Sequence, residues 1–383
     1  MLKRLREDRL ILFCTLVLVA AGLVMVYSAS SVMAMNAERY GDPGYFLKRQ
    51  ALWAFAGLAG MLVMWRTDYR ILRKLSFPLV AVSFVLLVLT LVPGIGAELN
   101  GARRWIRLGG LSFQPSELTK LAMFIFVASS LSKRSDKIKD FGSGLVPYLA
   151  LTGTMLFLIA LEPDLGTAAS IGVVVLVMLY VAGARPAHLL SIMLAAAPVL
   201  YVQLFHVGFR KKRLLAFFDP WSDPRGTGFQ AIQSFLAFGS GGLTGLGLGE
   251  GRQKLLFLPE PHSDFIFAVV GEELGLVGAL TLASLFALFT LCGLRLALKC
   301  EDPFGRLLAF GITLMVGLQA LINMGVATGL FPNKGMPLPF VSAGGSSVFM
   351  TLLAVGILLS VSRTHKAPSP ARSYAMHPRV ARA

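Results

Sequence analysis

Leu10 to Ser30 reads LILFCTLVLVAAGLVMVYSAS, an apolar run of about 20 residues, and a helix of that length crosses the ~30 Å of hydrocarbon in a bilayer. The run follows a basic start, Lys3, Arg4, Arg6 and Arg9, and ends at Val26-Tyr27-Ser28 without a clear cleavage site. It therefore predicts an uncleaved first span, not a signal peptide. Working outward, runs of spanning length recur near 46–65, 75–93, 115–132, 142–161, 165–184, 187–206, 271–294, 307–328 and 340–362, ten in all. The predicted fold class is all-α: a polytopic integral membrane protein with ten transmembrane helices and a long extracytoplasmic loop, 207–270, between helices 7 and 8. An N-terminal segment (1–9), a ten-helix membrane domain (10–362) and a polar tail (363–383) complete the layout. Pro78, Pro147 and Pro198 fall inside these runs, which a membrane bundle tolerates because neighbouring helices re-satisfy the freed backbone groups.

Composition agrees. Of 383 residues, 55% are hydrophobic and 15% charged, and the mean hydropathy is +0.70, which excludes a water-soluble Rossmann or barrel enzyme. The net charge of +16 is spread along the chain without one basic face or tail interleaved with aromatics. Anionic lipid, not nucleic acid, is the partner this implies. Cys14, Cys292 and Cys300 form no C-x-x-C pair and have no histidine at ligand spacing, so neither a disulfide framework nor a zinc site is expected. With an even number of spans both termini share a side. Placing them inside assigns 21 Lys and Arg to the inner ends and loops and 14 to the outer side, seven of the latter in the long 207–262 stretch. Positive charge resists export, so the termini are predicted to be cytoplasmic.

Against that bias, Arg103, Arg104, Arg107, the run Arg210-Lys211-Lys212-Arg213, Arg252, Lys254 and Lys334 lie on the outer side. They either contact lipid headgroups or serve an anionic ligand. Polar residues cluster in the outer connections. Gln114-Pro115-Ser116-Glu117-Leu118-Thr119-Lys120 opens the fourth span: Pro115 suits a helix start, and Glu117 and Lys120, three apart, share a face and can pair. That pair is either a helix-to-helix salt bridge or part of a site. In Glu162-Pro163-Asp164-Leu165-Gly166-Thr167, Asp164 is placed to cap the next helix. In Pro259-Glu260-Pro261-His262-Ser263-Asp264-Phe265-Ile266-Phe267, an aspartate beside Phe265, Ile266 and Phe267 would be partly desolvated, which raises a carboxyl pKa and suits it to base work. Glu272 and Glu273 are assigned to helix packing or a secondary role. Before the last span, Lys334 and the exposed amides of Gly344, Gly345 and Ser346, with Ser342 nearby, form a second candidate site for an anion.

In order and spacing, the Asn100–Trp105 loop, the Gln114–Lys120, Glu162–Thr167 and Pro259–Phe267 motifs, and Pro337-Leu338-Pro339-Phe340 through Gly344-Gly345-Ser346-Ser347 resemble the SEDS family (shape, elongation, division and sporulation) over nearly the whole chain. Trp221-Ser222-Asp223-Pro224 and Thr328-Gly329-Leu330-Phe331-Pro332 are more similar to its division members than to its elongation members; Ala343 departs from an expected tyrosine. The resemblance implies a peptidoglycan glycosyltransferase of the bacterial inner membrane, acting at the division septum. It would polymerise lipid II and release undecaprenyl pyrophosphate, with Asp264 as catalytic base. Arg104, Glu117, Lys120, Asp164, Lys334, Ser342, Gly344, Gly345 and Ser346 would be substrate-binding, with Arg104, Lys120 or Lys334 on the pyrophosphate. No cofactor is required; a divalent cation, Mg or Mn, is the one addition the resemblance leaves open. Implied partners are a class B penicillin-binding protein transpeptidase and other division-site membrane proteins. Two rival readings stand beside it: a lipid II flippase, and a non-catalytic scaffold that activates a transpeptidase. The absence of an internal repeat and the clustering of polar residues in outer loops weigh against a carrier.

Overall fold

The computed structural model describes residues 7–36, 41–99, 102–108, 111–133, 138–255, 258 and 261–366. Helices occupy every apolar run: α1 (Glu7–Asn36), α2 (Tyr45–Arg66), α3 (Leu72–Leu91), α4 (Pro115–Lys133), α5 (Val146–Leu161), α6 (Leu165–Val181), α7 (Pro186–Phe205), α10 (Ile266–Lys299), α11 (Pro303–Ala327) and α12 (Gly345–Lys366). Among the described residues, seven helical segments are long and apolar enough to cross a membrane, and Leu165–Val181 is apolar but shorter. The helix starts follow local rules. Glu7 and Asp8 sit in the first turn of α1, where the helix dipole favours negative charge. Asp302 accepts the Gly305 amide at 3.2 Å and Pro303 opens α11, a cap followed by a residue that needs no amide donor.

Two connections predicted as loops have regular structure. The segment before α4 is a three-stranded antiparallel meander, β1 (Gly96–Leu99), β2 (Ala102–Leu108) and β3 (Leu111–Phe113), in the order β1-β2-β3. The stretch 207–270 holds α8 (Gly208–Phe218) and α9 (Phe229–Gly241), and α10 begins at Ile266, five residues before the predicted span. These helices are too short and too polar on one face to register as spans, so apolar run length alone missed them.

The bundle is organised around α4 and α12. Ala122, Met123, Phe124 and Ile125 of α4 and Leu352, Val355, Leu358 and Leu359 of α12 are all buried, whereas α7 buries no residue against the rest of the chain. α12 packs on α2, α10 on α1 and α11, and α3 on α4. A β-carbon added at Gly57 of α2 would stand 2.6 Å from Leu352, and one at Gly356 of α12 would stand 2.5 Å from the Met61 carbonyl. Small residues are what let two helices approach this closely where lipid supplies no hydrophobic drive. At one end, the Tyr69 hydroxyl donates to Asp302 at 2.8 Å, and the Arg73 guanidinium does so at 3.1 Å, tying α3 to the start of α11.

α10 is broken at Gly275, whose φ of 65° and ψ of −164° leave helical geometry. The glycine-rich chain after α9 fills the break: the amides of Leu246 and Gly247 donate to the Glu272 and Glu273 carbonyls, both at 3.0 Å, and those of Leu276 and Val277 donate to the Gly242 and Leu243 carbonyls at 2.9 and 3.2 Å. Broken helix backbone is tolerated at membrane depth only where protein re-satisfies it. Beneath it, Lys254 pairs with Glu273 at 2.6 Å, with side chains 3% and 0% exposed, and Ser28 of α1 donates to the same carboxylate at 2.7 Å. Lys254, predicted among the outer cations that meet headgroups or an anion, is thus an interior ion-pair partner, and Glu272 and Glu273 do the packing work expected of them. The reason is local: the break exposes amides and carbonyls, and a buried charge is stable only with such partners.

Candidate active site

Asp264 ends the turn before α10 and is half-buried. Its carbonyl accepts the side-chain amide of Asn323 on α11 at 2.9 Å; the same nitrogen donates to the Met336 carbonyl at 2.7 Å. Ser263 Oγ donates to Asp264 Oδ1 at 3.2 Å, and a β-carbon at Gly335 would stand 2.8 Å from Asp264 Oδ2. Asn323 therefore pins the Asp264 turn to the 332–344 segment, and a side chain at 335 would displace the carboxylate from this position. His262 is buried, its ring centroid 4.5 Å from that of Phe46 and its carbonyl accepting the Ala343 amide at 2.8 Å.

The segment ahead of α12 is held by its own hydrogen bonds. The Ser342 hydroxyl accepts the Leu338 amide at 2.7 Å and donates to the Ser263 carbonyl. Gln50 of α2 donates to the Ser342 carbonyl at 3.0 Å and accepts the Gly344 amide at 3.2 Å. Ser346 Oγ accepts the Gln114 amide at 3.4 Å, and Gly345 lies against the Trp53 ring with no room for a side chain. Of the four residues predicted to bind substrate here, Ser342 is bonded to the Asp264 turn through the Ser263 carbonyl, Gly344 is bonded to Gln50 and Ser346 to the Gln114 amide, and Gly345 lies against Trp53. A buried hydroxyl or amide takes the nearest partner, and sequence spacing cannot show that Gln50 and Gln114 stand in that position.

Glu117 and Lys120 pair at 2.8 Å, both buried. Lys120 also donates to Gln319 Oε1 at 3.3 Å, and Gln319 Nε2 donates to the Pro337 carbonyl at 2.8 Å. The pair is thus formed within α4 and linked through Gln319 of α11 to the segment ahead of α12. Asp164 caps α6, accepting the Thr167 amide at 3.1 Å, and Gln114 Nε2 reaches its other oxygen at 3.5 Å. Arg104 on β2 donates from Nε to the Glu162 carbonyl at 2.9 Å and from Nη2 to the Pro163 carbonyl at 2.6 Å, which fixes the turn between α5 and α6 and keeps its charge at the site.

Sequence spacing did not single out Arg213 of α8. Burial pulls its guanidinium below the ordinary arginine value, the negative charge of Asp264 works the other way, and Arg104 adds to the lowering. Arg210, one turn earlier, is lowered by burial and by Arg104. Arg104, Arg210 and Arg213 are thus within electrostatic reach of one another, and Asp264 is within such reach of Arg213. Lys334 is half-buried, and desolvation pushes its ammonium below the usual lysine range. The predicted clue was the excess of outer cations; only the docking of α8 chose among them. Pro259, Glu260, Asn100 and Gly101 lie outside the described residues.

A helical bundle with a half-buried carboxylate and several half-buried cations among its loops defines a polytopic membrane protein with a charged site. The family described as "Cell cycle protein", comprising FtsW, RodA and SpoVE, matches residues 8–367, and the chain belongs to it, the SEDS family. It is 50% identical over 361 residues to the probable peptidoglycan glycosyltransferase FtsW of Geobacter metallireducens, covering 94% of this chain and 96% of the relative. It is 44% identical over 361 residues to stage V sporulation protein E of Bacillus subtilis, covering 94% and 98%. Among solved structures, a chain from a study of how a peptidoglycan synthase complex coordinates polymerization and crosslinking superposes with a TM-score of 0.76 at 33% identity, covering 93% of this chain and 98% of that one. The rod shape determining protein RodA of Thermus thermophilus superposes with a TM-score of 0.67 at 31% identity, covering 93% and 96%.

Proposed function

We propose that the chain is a peptidoglycan glycosyltransferase that polymerises lipid II at the division septum. The observation that carries this reading is the seating of Asp264: a half-buried residue whose backbone carbonyl is held by Asn323 and whose carboxylate lies against Gly335, in electrostatic reach of Arg213, in a chain half identical to relatives named for that activity. In the reaction, the 4-hydroxyl of the GlcNAc on one lipid II attacks the anomeric carbon of MurNAc on the other. Asp264 accepts the hydroxyl proton as the new C–O bond forms. The old bond from that carbon to the diphosphate oxygen breaks, and undecaprenyl pyrophosphate leaves with the electron pair. Its charge is met by the arginines and Lys334, fixed in a partly desolvated setting where they act more strongly than in water. The substrate arrives already activated, so no nucleotide is consumed.

Among the described residues, no three His, Cys, Asp or Glu side chains converge to hold a metal. The charge asymmetry of the loops supports cytoplasmic termini and an Asp264 site on the outer face of the inner membrane. Residues 10–362 form the catalytic membrane domain, and the partner is a transpeptidase of the class B penicillin-binding type, with other division proteins around it.

The test is glycan-chain formation from purified lipid II, resolved by chain length, with and without the cognate transpeptidase. Asp264→Ala is expected to lower polymer by at least about a hundredfold, the usual contribution of a general base, while the detergent-solubilised protein stays folded. Wild-type chain length from that variant would refute the base assignment.

A further inference from the structure

The run Arg210-Lys211-Lys212-Arg213 leaves two partners open, lipid headgroups or an anionic ligand, and the helix it forms separates them. In α8, Arg210 and Arg213 are half-buried and Ala216 is buried, whereas Lys211 and Lys212 are exposed. Residues three and four apart share one face of a helix. Arg210 and Arg213 therefore lie on one side, and Lys211, Leu215 and Phe218 on the other. This second side is apolar as well as basic. Leu215 is 57% exposed and Phe218 77%, and Trp221, in the turn Pro220–Ser222 that follows, is 61% exposed.

Three large apolar side chains standing out of one short segment mark a surface that meets a partner or a membrane. Continuity selects the membrane. α8 follows α7 after only His206 and Val207, and α7 is long and apolar enough to span while burying no residue against the rest of the chain. Tyr201, Phe205 and Val207, next to α8, are exposed as well. Exposed apolar and aromatic side chains thus continue from the span through α8 to Trp221, and Trp and Tyr gather where hydrocarbon meets water. Charge gives the kind of lipid. Residues 208–223 hold four cations against two acids, Asp219 and Asp223, and both acids lie beyond the end of the helix.

We propose that the outward face of α8, with Trp221, seats on an anionic phospholipid surface. Leu215, Phe218 and Trp221 enter the boundary between headgroups and acyl chains, and Lys211 and Lys212 meet the headgroup phosphates, their stems lying along the apolar side chains. This seating holds whatever reaction Asp264 serves. Its consequence is mechanical: the bilayer steadies one face of the helix whose other face sets Arg213 within electrostatic reach of Asp264. The four-cation run is thereby divided by the helix period, two residues for the protein interior and two for lipid.

The test uses the full chain in lipid nanodiscs with Trp221 as reporter, its signal taken as the difference between wild type and Trp221→Phe. In phosphatidylglycerol discs, lipid brominated on its acyl chains should quench the Trp221 component, and dissolved acrylamide should hardly reach it. A lysine near an anionic surface contributes about fivefold. Lys211→Gln combined with Lys212→Gln should therefore lower the lipid quenching and raise the acrylamide quenching in phosphatidylglycerol, and change little in phosphatidylcholine. Leu215→Ser combined with Phe218→Ser should release Trp221 in both lipids. All four side chains are exposed, so the melting temperature in detergent should stay at the wild-type value. A Trp221 component quenched by acrylamide and untouched by brominated lipid would overturn the proposal. A lysine pair with the same effect in both lipids would overturn the anionic assignment. Loss of the lipid quenching when the cognate transpeptidase is added would overturn it as well, and give the face to that protein.

Discussion

Glu162 shows how one residue couples the fold to pH. Its carboxyl is fully buried between α5 and α6 and hydrogen-bonded to Thr90 of α3. Desolvation, countered by that hydrogen bond and reinforced by Asp164, pushes it up to about 8. The folded chain therefore holds a proton there that the unfolded chain releases near pH 4.5. Stability from this group is complete below that value and is lost as pH rises toward 8, by up to ~1.4 kcal/mol per pH unit. Melting temperature should fall across that window, and Glu162→Gln should flatten the profile; a wild-type slope in the variant would show that other groups set it. Asp264, Glu117, Lys120 and Asp164 were all legible as chemistry-bearing residues because short motifs carried them. Arg213 was not, because what distinguishes it from Arg210, Lys211 and Lys212 is a neighbour 51 positions away in sequence, Asp264.

At the scale of an element, the break in α10 is held by charge as well as by backbone. Lys254→Met should leave Glu273 buried with a lost partner and destabilise by about 3–5 kcal/mol, whereas Lys254→Met combined with Glu273→Leu should recover much of that loss. Thermal unfolding of both variants in the same detergent checks it; a double variant no more stable than the single one would show that the cluster is needed for more than charge balance. The glycine-rich chain after α9 allows a close backbone approach at this break, since Gly245 and Gly275 come together there. What the run could not disclose is its partner, because the same turn residues suit any tight connection. The β1-β2-β3 meander escaped notice for a related reason: its strands are four, seven and three residues long, too short for alternation to stand out from a polar loop.

Across the whole molecule, the helices divide into a packed centre and a periphery that meets lipid. Ala122 of α4 is fully buried, so Ala122→Leu should overpack the centre and cost about 1–3 kcal/mol. Leu194 of α7 is 65% exposed, so Leu194→Ala should stay within about 0.5 kcal/mol of wild type. Unfolding in a lipid-like detergent compares the two directly, and equal effects would mean that α7 packs as the centre does. The same division sets what the proposed transpeptidase can reach: its contact has to lie on the outside of the bundle, since the centre is already filled.

By itself the sequence determined that this chain lives in a membrane, where its apolar runs lie, that helices begin at Pro115 and after Asp164, and which aspartate sits at the mouth. Each of these follows from local properties: run length, hydropathy, capping chemistry and residue type within a few positions. Tertiary structure alone decided that Ser342 bonds to the Ser263 carbonyl and Ser346 to the Gln114 amide, that Lys254 is an interior ion-pair partner, that Arg104 grips the turn at Glu162, and that α8 sets Arg213 within electrostatic reach of Asp264. Those outcomes depend on which helices pack together. A hydrogen bond such as that from Lys254 to Ser28, 226 residues apart, has no local signature, because its strength comes from burial that only the assembled bundle creates.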